Sequence, residues 1–257
     1  MKRPILFALF LFIQLNSFGI TPFRFAFITD MHIDVKKEQP SEDLLHAINE
    51  INSNTSIEFS IIGGDVTQDG DSASLCYART LLNQLKKPYY ITFGNHDVRT
   101  SSPENRMYKA IFGADRFSFI YQNIFFIGFT TAPTSNYGIG HIAENDLAWL
   151  KAELTKQKPE TTVFVTTHYP LLTGDVDNWQ AATAIMQNYA VKAILNGHYH
   201  RNAILNYDNI MGLVNRSTLR GKEPKGGYSI YTVSDSLSVS EKIIDTDERE
   251  WLIVPLK

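Results

Sequence analysis

The chain is short of several things. It has a single cysteine, Cys76, in the segment SASLCYARTLL. No disulfide can form within it. A Cys-based phosphatase or protease is disfavoured, because the lone thiol lies on a helix-like run and not in a motif of its own. The expected role of Cys76 is that of a small core hydrophobe. Lysine and arginine nowhere cluster beyond pairs such as Lys36-Lys37 and Lys86-Lys87, and the formal net charge is −3. A nucleic-acid tracking surface is therefore not expected. Internal repeats, low-complexity blocks and Pro/Gly-rich linkers are also missing, so residues 20–257 read as one domain.

No apolar run reaches the ~20 residues of a confident membrane span. The run from Ile5 to about Leu15 follows Lys2 and Arg3 and precedes Asn16, Ser17 and Gly19. This is the charged, apolar and small-residue order of a secretory signal. Residues 1–19 are expected to be a signal peptide cleaved near Gly19. Cleavage leaves no membrane span, and no cysteine follows to carry a lipid anchor. The mature protein is expected outside the cytoplasm, in the periplasm or the extracellular space.

What is present is 257 residues, 44% hydrophobic and 20% charged, an ordinary globular composition. A domain of roughly 240 residues buries a large core without disulfide staples. Short β-like runs alternate with helical ones. Strands are expected over residues 23–29, 59–62, 89–93, 162–167 and 192–195. Helices are expected from Ser41 to about Ile51, over 72–85, from Ser102-Pro103-Glu104, over 143–154 and around 180–189. A hairpin should turn at Gln122-Asn123, and the C-terminal part is strand-rich with turns at Asp208-Asn209 and near Ser234-Asp235. Alternation first and hairpins later indicates α/β layering with a mixed sheet or two sheets.

The seven histidines are unevenly placed. Five of them, His32, His96, His168, His198 and His200, stand just past apolar strand-like runs. FAFITDMH ends in Asp30 and His32, FSIIGGD in Asp65, YYITFGNHD in Asn95, His96 and Asp97, TVFVTTH in His168, and VKAILNGHYH in His198 and His200. Five strands thus deliver polar groups at their C-terminal ends, where α/β sheets place their ligand crevice. Carboxylate, imidazole and amide donors without thiolate suit Mn, Fe or Zn. Two carboxylates, four or five imidazoles and one Asn are too many donors for one ion. They suit two divalent ions sharing a bridging carboxylate, a device that clamps both oxygens of a phosphoryl displacement.

These motifs, D-x-H at Asp30–His32, G-D at Gly64-Asp65, G-N-H-D at Gly94–Asp97, the lone His168 and G-H-x-H at Gly197–His200, resemble the calcineurin-like metallophosphoesterase superfamily. The resemblance implies an α/β fold of two packed mixed β-sheets flanked by helices, a four-layer sandwich. It implies that Asp30, His32 and His200 hold one metal, that Asn95, His168 and His198 hold the second, and that Asp65 bridges them. His96 would face the scissile phosphate and assist the leaving group, with Asp97 orienting its imidazole. Hydrolysis of a small phosphate ester, diester or monoester, by a metal-bound hydroxide would follow.

The purple acid phosphatase branch has a tyrosine three residues after the bridging aspartate, where this chain has Gln68. The D-x-H opening is more similar to the small bacterial phosphodiesterases, including the class III cyclic nucleotide enzymes. Arg201, directly after G-H-x-H, is a candidate substrate-binding residue, ahead of Arg99 and Arg220. His141 could sit in a loop near the site, whereas His46 is expected on a helix surface. Tyr169 or Trp179 could stack on a ring or belong to the core. Asn54 and Asn215 begin glycosylation sequons. A non-catalytic metal-binding scaffold or partner-binding module on the same fold is the alternative function, and a nuclease is disfavoured for want of a basic groove.

Expressed in a bacterial host with its own N-terminus, the protein is expected in the exported fraction with a new first residue near Ile20, read by intact mass. Full-length chain confined to the cells would contradict the signal reading.

Overall fold

A computed structural model describes residues 20–100, 106–132 and 138–256. The expected signal peptide and the expected helix start at Ser102-Pro103-Glu104 lie outside the described residues. Two six-stranded mixed sheets carry the chain. The first holds β1 (Phe23–Ile28), β2 (Ile57–Gly63), β3 (Tyr89–Thr92), β10 (Gly227–Val233), β11 (Ser236–Ile243) and β12 (Glu248–Pro255), in the order β12-β11-β10-β1-β2-β3. The second holds β4 (Phe117–Tyr121), β5 (Ile124–Gly128), β6 (Val163–Thr166), β7 (Val191–Asn196), β8 (Ala203–Tyr207) and β9 (Ile210–Val214), in the order β4-β5-β6-β7-β9-β8. Helices α1 (Glu38–Ser53) and α2 (Ser72–Leu82) make the crossovers of the first sheet, and α4 (Glu144–Thr155) and α5 (Trp179–Met186) those of the second. Helix α3 (Arg106–Phe112) leads into β4. The four-layer sandwich is the expected fold.

The alternation of β1, FRFAFI, explains the layering. Phe23, Phe25 and Phe27 point into a buried cluster shared with Phe59 and Ile61 of β2, Phe126 of β5, Phe164 of β6 and Tyr231 of β10. Ala26 and Ile28 point the other way, into a cluster that holds Leu44 and Ile48 of α1. Period-2 patterning thus gives each sheet one face for its partner sheet and one for helices. The inter-sheet core is aromatic. The Phe25 ring lies 5.2 Å from Phe59, 5.5 Å from Phe126 and 4.8 Å from Tyr231.

The strands that matter for function run parallel. β1 pairs with β2 and β2 with β3; β5 pairs with β6 and β6 with β7. Their C-terminal ends therefore share one edge. The hairpins turn as expected, with Gln122-Asn123 and Asp208-Asn209 at positive φ, which two-residue hairpins favour and Asn and Asp tolerate.

Two local expectations differ from the structure, and one of the two sequons is buried. Helix α1 starts at Glu38, not Ser41, because Pro40 fits the first turn, where its missing N–H costs nothing. Cys76 is exposed on α2, since Leu75, Ala78, Leu81 and Leu82 already fill the buried stripe. Asn215 is fully buried, its amide donating to the carbonyls of Asn196 and Leu213 and its oxygen accepting from Tyr231, so that sequon is structural. No helix among the described residues is long and apolar enough to cross a membrane.

Phe126→Ala empties the middle of the inter-sheet core and is expected to lower unfolding free energy by about 3–5 kcal/mol in urea melts. Ile120→Ala, on β4 and 60% exposed, is expected to change it by under about 0.5 kcal/mol. Equal losses would contradict the layer assignment.

Candidate metal centre

At the shared edge the strands stop and the backbone turns sharply. Asp30, His32, Asp65, His198 and His200 all have φ between 48° and 71°. Every other non-glycine residue at positive φ among the described residues sits in a hairpin turn between strands. Such left-handed positions cost free energy in residues with a Cβ and concentrate at functional sites. Here they fold five side chains inward over the strand ends. Glycines allow the close approach. A Cβ on Gly94 would stand 2.2 Å from Asp65 Oδ1, and one on Gly197 2.4 Å from Asp30 Oδ2.

The first sheet delivers Asp30 and His32 after β1, Asp65 after β2, and Asn95 and His96 after β3. The second delivers His168 after β6 and His198 and His200 after β7. A group of His32, Asp65 and His96 links two clusters of donors that share no residue: Asp30, His32 and His200, and Asp65, His168 and His198. They are the two sets the resemblance implied, apart from Asn95, whose Oδ1 is buried without a hydrogen-bond partner. In the first cluster the His32 and His200 Nε2 atoms stand 3.1 Å apart, and His200 Nε2 lies 3.1 Å from Asp30 Oδ1. In the second, His168 Nε2 lies 3.2 Å from Asp65 Oδ2, and neither atom finds a hydrogen-bond partner. Asp65 also lies 3.9 Å from His32 Nε2, so its carboxylate stands between the clusters.

These atoms fit a pair of divalent cations. Two ligands at roughly 2 Å from one ion stand roughly 3 Å apart, the spacing found here. The buried Asn95 Oδ1 has no hydrogen-bond partner and is costly without a positive one, and Asp65 Oδ2 has only His168 Nε2, at 3.2 Å, to face it. The protonation states of two of the four imidazoles agree, while the carboxylates raise the other two, His168 and His200. Burial draws the His32 and His198 imidazoles down to about 4, leaving neutral rings with lone pairs to donate. Burial would raise the Asp65 carboxyl, but the charges of His168 and His32 outweigh it and hold it well below the usual range. Burial would likewise lower His168, and Asp65 instead lifts it to about 9.

His96 lies at the rim of the site, with Nε2 3.9 Å from Asp65 Oδ2. The expected role of Asp97 is corrected by its contacts. It does not orient His96. Its carboxylate accepts from the backbone N–H groups of Val66, Thr67 and Gly94 and from the Thr67 hydroxyl, at 2.8–3.1 Å. It ties the loop after β2 to the loop after β3. Its neighbours in the 3₁₀ turn His96–Val98 point elsewhere, and the His96 imidazole is held by the Gln68 carbonyl, 2.8 Å from Nδ1. Burial, then the charge of Asp65, pushes the Asp97 carboxyl up to about 7 against the pull of those donors.

Arg99 is the residue that sequence reasoning undervalued. Its guanidinium stands 2.9 Å from His96 Nε2 and donates to the Gln68 carbonyl and the Asp69 carboxylate. The signal was present, because residues three apart align on a 3₁₀ turn. Arg201 is exposed beside His200, its guanidinium over the Tyr199 ring at 5.8 Å. Tyr169 is buried with its ring 4.2 Å from that of His198. His141 is on the surface, paired with Asp177 at 2.7 Å, and Arg220 is occupied by Glu42 and Asp43.

The chain is similar to known proteins. The chain is 25% identical over 247 residues to a probable cyclic nucleotide phosphodiesterase of Xenorhabdus bovienii, covering 84% of this chain and 98% of the relative. It is 23% identical over 169 residues to a glycerophosphodiester phosphodiesterase of Enterobacter lignolyticus, covering 57% of each. Its fold is similar to that of a dimetal phosphatase from Danio rerio, with a TM-score of 0.70 at 14% identity over 91% of this chain and 99% of that one. The sequence model of the calcineurin-like phosphoesterases matches residues 23–202, more than half of the chain, and includes every donor of the two clusters. The chain belongs to the calcineurin-like phosphoesterase family.

Proposed function

We propose that this member of the family is an exported phosphodiesterase that works with two divalent cations of the Mn, Fe or Zn type. One observation carries the reading: seven inward-facing donors from two sheets, with the buried Asn95 Oδ1 left without a hydrogen-bond partner and Asp65 Oδ2 facing His168 Nε2 at 3.2 Å. Both relatives described above bear names of phosphodiester hydrolases. Export rests on the pattern of residues 1–19. Asp30, His32 and His200 would hold one cation and Asn95, His168 and His198 the other, with Asp65 between. When bound, such cations supply Lewis acidity at the phosphoryl oxygens and an acidified water near neutral pH.

The chain's own groups do the rest. The Gln68 carbonyl accepts from His96 Nδ1–H, and Nε2, on the side of the site, accepts from the Arg99 guanidinium. Released from the Arg99 contact and protonated at Nε2, His96 delivers a proton to the departing alkoxide. Burial and the neighbouring Arg99 draw its pKa down, which makes the imidazolium a stronger acid. Arg99, at the same atom, offers a phosphate oxygen a fixed cation. A non-catalytic scaffold would need neither His96 nor Arg99 in this position.

Metal-stripped mature protein is expected to leave bis-(p-nitrophenyl) phosphate intact, and Mn²⁺, Zn²⁺ or Fe²⁺ to restore turnover. His96→Ala should lower kcat by ~10²–10⁴ while metal content stays at the parent level. Undiminished turnover in that variant would remove His96 from the chemistry.

Asp97→Ala orphans three buried N–H groups and is expected to cost about 3 kcal/mol of stability in chelator-containing urea melts. His96→Ala should cost less than about 1 kcal/mol in the same melts. Equal costs would return Asp97 to the role first expected of it.

A further inference from the structure

Beside the metal centre the two sheets part into a cleft of ≈ 510 Å³. His200 lines its inner end, and Arg201, Arg216, Ile243, Arg249 and Trp251 line the walls. Much of it comes from β11 and β12, beyond residues 23–202 that the family shares. These residues of the C-terminal hairpin lie past the stretch that the family model matches.

A bulge shapes it. Ser240 pairs with Glu250 and Val239 with Leu252, so Trp251 is the extra residue of β12. Bulges re-aim side chains at sheet edges and near active sites. Trp251 lines the same cleft as Arg249, two residues away on β12, with its indole also packed against the inter-sheet core.

The charge of the cleft runs against that of the chain. Four cations line it, Arg201, Arg216, Lys225 and Arg249, against Glu223 and Glu241, on a protein of net charge −3. Two of the cations are occupied. Arg216 is 3.1 Å from Glu241, and Lys225 is 2.7 Å from Asp245. Arg201 and Arg249 have no ion-pair partner among the described residues. The cleft therefore offers two available guanidinium groups, an indole and an aliphatic surface next to His200. Guanidinium forks suit a phosphate, and an indole face suits a planar base. The cleft is also too large for the reacting phosphate alone.

We infer that this cleft holds the arm of the diester that carries a second phosphate, so that the preferred substrate joins two nucleotide units and bears a terminal phosphate. The inference rests on the phosphodiesterase reading. Arg201 and Arg249 hold the terminal phosphate, and Trp251 with Ile243 flanks the base. The hydrolysed bond is the one at the metal centre: water adds to phosphorus, the P–O bond to the arm breaks, and the arm leaves as an alcohol that keeps its own phosphate.

The test uses the mature, metal-loaded protein with three diesters that differ only in terminal phosphate: thymidylyl-thymidine, its 5′-phosphorylated form and its 3′-phosphorylated form. Bis-(p-nitrophenyl) phosphate is run beside them. One phosphorylated form is expected to be favoured over the unphosphorylated dinucleotide by at least about tenfold in kcat/KM. That ratio should collapse towards one in the Arg201→Ala/Arg249→Ala double variant, the unphosphorylated dinucleotide serving as the reference in each preparation. No preference in the parent, or an equal preference in the variant, overturns the inference while leaving the phosphodiesterase reading intact. Failure of the parent to hydrolyse every diester, bis-(p-nitrophenyl) phosphate included, overturns both.

Discussion

The Asp65 carboxylate is the group on which the site depends. It is buried, sits at φ 48°, and stands where the two sheets meet. One oxygen accepts the His96 N–H at 2.9 Å, and the other lies 3.2 Å from His168 Nε2. Asp30 lies in the same pocket with no exposure of its own. Two buried carboxylates so close repel unless positive charge lies between them. Without metal, the protein answers by raising His168 to about 9. With cations present, that imidazole returns its lone pair to the site. The cluster is thus built around charge that the polypeptide does not itself supply in full.

The sandwich exists to hold this cluster in place. Each sheet contributes one side of it, and neither side is sufficient alone. β1, β2 and β3 end in Asp30, His32, Asp65, Asn95 and His96, while β6 and β7 end in His168, His198 and His200. The aromatic layer between the sheets fixes their spacing. Asp97 performs the same task at the surface of the site, joining two strand-end loops through four donors to one carboxylate. Five strained backbones persist because these contacts over-determine them.

Much of this was legible in the sequence, for a physical reason. A buried parallel strand must be apolar, so polar residues directly past it stand out, as in FAFITDMH and VKAILNGHYH. Parallel strands end at one edge, so the donors had to meet. What was not legible depends on direction or on distant pairing. Adjacent residues in a 3₁₀ turn diverge, which separated Asp97 from the His96 ring and brought Arg99 to it. Cys76 sits one step off the buried stripe of α2, a rotation that composition does not reveal. The cleft at Trp251 requires the register of β12 against β11 and the nearness of residues 200–202, neither of which is local.

The most direct test of this account is metal stoichiometry. Mature protein reconstituted with Mn²⁺ or Zn²⁺ and passed through a desalting column would be assayed by elemental mass spectrometry, beside an Asp65→Ala variant shown to be folded by circular dichroism. Two ions per parent chain, and loss of tight binding at both positions in the variant, is the predicted result. A parent chain that retains no ion, or a variant that retains two, would contradict a dinuclear centre bridged by Asp65.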